Sequence, residues 1–223
     1  MAPKKSISEK QIIRSAFNMV RTIGAHRSTA RKIALELGCS TMPIYSTIGS
    51  MHDVINQVLR LGYHWIEQLY YKIDSGCPLM DFELAIWKLA LTEPHLWHLM
   101  FLHKTDSATR SFQFPEWLRI IQEVEQRLSS SIDPATLAAT TRETRVRHLK
   151  DLSYTIFGVG ASVHLGTFFY DDHQPENECR YMFTFFHRIN TTCVPWYSNT
   201  PAMPKHIDTS YDETLTDILS SFE

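Results

Sequence analysis

Apolar residues recur at helical spacing along most of this chain, and the first sixty positions carry the most detailed pattern. Ile12, Ala16, Phe17, Met19, Val20 and Ile23 mark the buried side of a first helix that Ser6 or Ser8 can cap and Gly24 ends. Ala30, Ile33, Ala34 and Leu37 make a narrow stripe for a second, with Ser28 as its N-cap. Gly38 follows where a helix must stop and the backbone must reverse with positive φ. Ser40 can cap a third short helix, and Pro43 falls in its first turn, where a missing amide costs little. Two short helices joined by a tight glycine turn predict a helix-turn-helix, whose second helix is suited to the DNA major groove. On spacing alone, an ordinary helical hairpin is an equal reading.

Downstream the elements lengthen. Ser50 and Asp53 form a capping box, and Val54, Val58, Leu61, Trp65, Leu69 and Ile73 continue a helix to about Asp74. The run 75–78 is a break, 82–91 is helical, and Glu93 with Pro94 interrupts before the apolar run 96–101. Pro115 is expected to open a helix to about Leu128, and Asp133 with Pro134 is a cap and first-turn pair. Helices are expected over 143–170 and 176–192. Pro195, Pro201 and Pro204 mark an extended tail, and a capping box at 210–213 leads into a short amphipathic helix through Phe222. The expected fold class is therefore all-α. A three-helix head with a basic arm spans 1–49, a larger helical body 50–194, and a tail 195–223.

Charge separates the head from the rest. The first sixty residues hold nine basic side chains against three acids, a net of +6, whereas the whole chain is −2. A basic quarter on an acidic remainder points to a polyanion as partner, and a generic solvated face does not explain its confinement to one end. The 223 residues, 43% hydrophobic and 21% charged, are those of a globular protein. No apolar run approaches the roughly 18 residues of a membrane span, and no secretory h-region follows the N-terminal lysines. Cys39, Cys77, Cys179 and Cys193 are scattered without a CxxC pair, which predicts reduced thiols in a cytoplasmic setting rather than a zinc or disulfide framework.

The span 12–59 resembles the TetR repressor family. The residues that carry the resemblance are Ile13, Ala16, Gly24, Ser28, Ile33, Ala34, Gly38, Ser40, Ile44 and Tyr45, in register without insertion. The resemblance implies an all-helical dimer with a ligand-binding C-terminal body. Two positions depart from the family pattern. Ile48 stands where a phenylalanine is usual, and Met51 replaces a lysine that commonly meets a phosphate, with His52 beside it as a partial substitute. Tyr45 matches the family tyrosine that reaches the DNA backbone.

Groove chemistry then assigns expected roles. Thr41 and Ser46 can hydrogen-bond, and Met42 and Pro43 can pack on thymine methyls. Ser28, Thr29 and Arg31 open the preceding helix, where amides and hydroxyls suit a phosphate, and Lys5 belongs to the basic arm. The third helix offers no Arg, Asn or Gln for a bidentate base contact, so shape readout gains weight.

In the body, Trp87, Trp97, His98 and Phe101, with Phe112, Trp117, Tyr154 and Phe157, are candidates to line a pocket for a small hydrophobic or aromatic effector. Core packing is the plainer reading for any one of them. The family pairs its last two long helices with their copies. On this chain that face is Gly158, Ala161, Ser162 and Leu165, followed by Met182, Phe183, Phe186 and Ile189. These residues could equally be monomer core.

The expected function is a ligand-responsive regulator, a repressor, that holds a pseudo-palindromic double-stranded DNA operator as a homodimer. No cofactor, metal or membrane is expected. The alternative is a helical enzyme or metal-binding protein that uses the histidine-rich body, for example through His95 and His98. Against it, the chain has no nucleophile elbow, glycine-rich phosphate loop, His-Glu-x-x-His or paired acid/base motif.

Overall fold

The computed structural model describes residues 7–102, 107–167, 175–194 and 201–202, with side chains for all of these except 107–114 and 175–178. Every regular element among them is helical. In chain order they are α1 (Glu9–Ile23), a 3₁₀ turn (Ala25–Arg27), α2 (Ala30–Glu36), α3 (Met42–Thr47) and α4 (Met51–Lys72). There follow α5 (Pro78–Thr92), α6 (Pro94–Trp97), a wider π-type segment (His98–Leu102), α7 (Ser107–Ser131), α8 (Pro134–Ala138), α9 (Arg142–His164) and α10 (Pro175–Cys193). The expected C-terminal helix and most of the proline-marked tail lie outside the described residues.

The chain groups into two compact units. One holds α1 to α3, α4 through Trp65, α6, the π-type segment and α7 through Phe114; the other holds α4 from Ile66, α5, α7 from Pro115, and α8 to α10. This differs from a division at Ser50. The physical reason is aromatic packing: Trp65 lies 5.7 Å from Phe17 between ring centroids, so most of α4 joins the core of the head.

In the first unit, the Ser8 hydroxyl accepts from the Gln11 amide and the Gln11 side chain returns to the Ser8 amide, which fixes the start of α1. Ile12, Ala16, Phe17 and Val20 are buried on its inner face, with Ile33 and Ala34 of α2 and Ile44 of α3. Arg21 makes a two-pronged pair with Glu93, at 3.0 and 2.9 Å, and its guanidinium lies 4.9 Å from the Trp65 ring. That pair ties α1 to the start of α6. Trp97 packs on Phe101 at 4.3 Å, and Tyr63 meets Phe101 edge-on.

In the second unit, α5 is buried nearly all round, as expected of a central helix, and packs most extensively on α9. Trp117 of α7 is sandwiched between Phe82 at 5.6 Å and Phe157 at 5.1 Å. Glu125 is buried and receives Arg145 at 2.8 Å and Arg142 at 3.1 Å. The turn before α5 is closed by Asp81, which accepts from the Ser75 amide at 2.8 Å and hydroxyl at 2.6 Å.

Several expected helix ends move. Thr29, not Ser28, caps α2 by accepting from the Lys32 amide; Ser28 is buried and donates to the Gly24 carbonyl at 2.9 Å. Ser40 does not cap α3, whose N-cap position is Thr41, without a side-chain bond. Helix α4 stops at Lys72, and α5 begins at Pro78 rather than 82 because the Asp81–Ser75 closure organises its first turn. Pro115 opens nothing: it sits inside α7, where it removes one backbone bond. The helix continues past it because Ile120, Ile121, Val124 and Leu128 are buried along one face. Helix α9 ends at His164, short of 170. Gly166 takes φ +65°, and the Thr167 amide returns to the Ser162 carbonyl at 2.9 Å, a glycine closure that meets the orphan carbonyls of the last turn. Helix α10 runs one residue beyond expectation at each end.

Candidate nucleic-acid interface

The head presents its expected contact face through helix ends. Gly38 adopts φ +66°, which a residue with a Cβ rarely tolerates, and so turns the chain from α2 to α3 within five residues. Ile44 is fully buried under this turn and sets the rotation of α3. With Ile44 facing inward, Met42 is 73% exposed and Tyr45 48% exposed on the opposite side. Ser46 is exposed beside them, and Thr41 and Pro43 are half-buried.

At the start of α2, Thr29 and Arg31 are exposed and Lys32 is exposed next to them. Ser28, buried and committed to Gly24, is not on this face. Its hydroxyl supports the turn instead. His52 is half-buried in the first turn of α4, where the Ser50 hydroxyl accepts from the Asp53 amide at 3.1 Å and donates to the Asp53 carboxylate at 2.6 Å, half of the expected capping box. Lys5 lies outside the described residues. Leu35, which lies off the apolar stripe of α2, is 81% exposed.

The effector candidates divide between the two units. Trp97, His98 and Phe101 belong to the first, and Trp87, Trp117, Tyr154 and Phe157 to the second. Trp87 and Trp97 are buried, Trp117 and Phe157 half-buried, and Tyr154 is 73% exposed. The side chain of Phe112 is outside the described set. A surface pocket of about 230 Å³ lies on α9 and α10, lined by His148, Asp151, Leu152, Thr155 and Cys193, and none of these was an effector candidate.

The expected pairing face is mixed in burial. Met182 and Phe186 are fully buried within the second unit, whereas Leu165 is 70% exposed and Gly158 is exposed. Ala161, Ser162, Phe183 and Ile189 are half-buried. The two buried side chains serve the core of the unit itself, whereas Tyr154 and Gly158 of α9, Leu165 just after it and Tyr181 of α10 are exposed.

Among the described residues, no group of three or more His, Cys, Asp or Glu side chains is placed to hold a metal ion. No described helix is long and apolar enough to cross a membrane. His98 faces His26, at 6.4 Å between rings, while His95 is exposed.

The fold and this face define a class: an all-helical chain with a helix-turn-helix head of exposed hydroxyl, aromatic and basic groups. No protein-family model matches the sequence, and no curated protein does. Among solved structures, the chain is similar to a Vibrio parahaemolyticus protein assigned to the TetR family of transcriptional regulators. The identity is 16% and the TM-score 0.49, over 79% of this chain and 96% of that one.

Proposed function

We propose that this chain is a DNA-binding transcriptional regulator of the TetR type, a repressor that holds a pseudo-palindromic operator as a homodimer and releases it on binding a small hydrophobic effector. The observation that carries the reading is the turn at Gly38 with Ile44 buried beneath it. This leaves Met42, Tyr45 and Ser46 outward on a segment of net charge +6. Arg31 and Lys32 supply charge to the phosphates, and the exposed hydroxyls supply hydrogen bonds to backbone and base edges. Met42 contributes an apolar surface for thymine methyls. A two-fold dimer would present two such heads to two half-sites, which selects an operator better than one head can. Release requires only that the effector prefer one state of the dimer by about 1–3 kcal/mol.

The test uses the full chain and a labelled random-sequence duplex pool, followed by selection of the tightest binders. A dimer making about 6–10 phosphate contacts loses roughly 10³–10⁵ in affinity between about 50 and 200 mM salt. Binding that is absent, or unchanged over that range, overturns the proposal. Replacing thymine by uracil in the selected duplex removes only the methyl groups, and a weakening of binding that is lost in Met42→Ala assigns them to Met42.

A further inference from the structure

Glu83 stands on the central helix α5 and is 1% exposed, a burial rarely imposed on a carboxylate without a cation. Its hydrogen-bond partner is Asn190 of α10, 0% exposed, whose Nδ2 donates to Oε2 at 2.7 Å. Each side chain keeps one more buried polar atom without a partner: Oε1 of Glu83 and Oδ1 of Asn190. With Glu83 ionised both atoms are acceptors, so neither can satisfy the other, and both carry a desolvation penalty.

A single proton resolves both. With hydrogen on the carboxyl, the acid O–H donates to the amide oxygen while the amide N–H donates to the acid carbonyl. This closes a ring of two hydrogen bonds. The ring forms equally if the amide of Asn190 is turned over, because acid and amide each then still offer one donor and one acceptor. We infer that Glu83 keeps its proton in the folded chain and that its acid–amide ring with Asn190 latches α10 onto α5.

The electrostatic surroundings agree. Ionisable groups on the neighbouring elements are engaged elsewhere: Asp81 by Ser75, Arg145 by Glu125, and Arg127 of α7 over the Tyr70 and Tyr71 rings of α4. Lys88 of α5 acts on Cys179 of α10, and His187 lies half-buried one turn before Asn190. Farther along, Arg188 and Cys193 of α10 are exposed and His148 of α9 is half-buried. Among the described residues, no charged group contributes to the shift of the Glu83 carboxyl. Burial pushes it well above the ordinary carboxylate range, and the Asn190 hydrogen bond offsets only part of that.

The sign of the pH dependence follows. A carboxyl raised in the folded state contributes its stability fully below the unfolded value of about 4.3 and loses it as pH rises toward the folded value. Within that window unfolding releases one proton from Glu83, so the unfolding constant rises about tenfold per pH unit. The latch weakens with rising pH, and it does so whether or not the head binds DNA.

The experiment uses the full chain in two measurements. In urea unfolding from about pH 5 upward, the ratio of the unfolding constants of wild type and Glu83→Gln is expected to rise, by about tenfold per pH unit until the folded carboxyl ionises, since other titrating groups cancel. Glutamine keeps a donor and an acceptor in the ring but cannot ionise. A ratio that stays flat overturns the inference. Wild-type protein carrying ¹³C only at glutamate carboxyls provides the second readout, independent of whether the variant folds. One resonance is expected to stay at the protonated position through about pH 6 while the others have ionised. If every glutamate ionises in the ordinary range, Glu83 is charged and the latch does not exist.

Discussion

The head and the second unit treat their polar groups in opposite ways. On α2 and α3, Thr29, Arg31, Tyr45 and Ser46 reach solvent, and the apolar residues between them are what is buried. In the second unit Asp81, Glu83, Glu125, Arg145 and Asn190 are the buried ones, each matched by a side chain brought from elsewhere. A surface contact needs only the right residue type at the right helical position, so it is a local property. An interior pair needs two distant positions to coincide: Glu83 and Asn190 are 107 residues apart in the chain. Ser28 and Arg21 aside, the head keeps its polar chemistry available to a partner, and the second unit consumes its own in holding helices together.

The largest test of this contrast is Arg145→Ala. It leaves Glu125 buried with its main cation removed, and breaking a buried pair in this way costs about 3–5 kcal/mol. Urea unfolding should show that loss, while the folded fraction should keep its DNA affinity. If affinity per folded molecule falls in step, the two regions are not independent. The acid side has a definite sign too. Burial works to raise the Glu125 carboxyl, but bonds from Ser129, Arg142 and Arg145 outweigh it and the net shift is downward. Glu125 therefore stabilises the fold above the ordinary carboxylate value and stops doing so as pH falls through its lowered one.

Tyr45→Ala is the converse, of smaller size. Removing a hydroxyl that bonds a phosphate costs about 1.5–3 kcal/mol, roughly tenfold to a hundredfold in affinity by fluorescence anisotropy. Sedimentation should find the oligomeric state unchanged. A variant that bound as tightly as wild type would remove Tyr45 from the interface, and one that changed its oligomeric state would tie the head to self-association.

An effect comparable to that of Tyr45→Ala, confined to the pH dependence, is expected from Asp81→Asn. Burial raises the Asp81 carboxyl from 3.8 to about 6, against the two Ser75 bonds that favour its charged form. Because the folded value is the higher one, its contribution is complete below about pH 4 and fades as pH rises through about 6. Wild type should therefore lose about thirtyfold in the folding equilibrium across that interval relative to Asp81→Asn. Parallel thermal melts of the two proteins check this. Identical pH profiles would show that the Ser75 turn holds without a titrating group.

Legibility followed the same divide. The start of α1, read as Ser6 or Ser8, the Ser50 hydroxyl at the start of α4, and the cap at Asp133 before Pro134 were all readable, because a cap is decided within four residues. Pro115 and Gly166 misled for a shared reason. Each disfavours the helix locally, by about 3 kcal/mol for proline and about 1 kcal/mol for glycine, and burial beyond it decides whether the helix continues. Past Pro115 lies a buried apolar face that carries α7 on. At Gly166 the backbone instead takes positive φ and closes α9, although Gly158 and Gly160 are accommodated inside the same helix. Ser28 shows the limit of reading caps by type: adjacent hydroxyls at 28 and 29 both fit, and the tertiary turn at Gly24 claimed the first.

By itself the amino-acid order determined that this is a helical protein with a basic helix-turn-helix head. It also determined which exposed types that head offers, since amphipathic spacing, caps and glycine turns are short-range physics. Only the tertiary structure decided that Trp65 draws α4 into the core of the head, that Arg21 meets Glu93, and that a carboxyl at position 83 faces an amide at position 190. Those pairings depend on how far-separated helices close-pack, and no local preference in the chain encodes which buried polar group will find which partner.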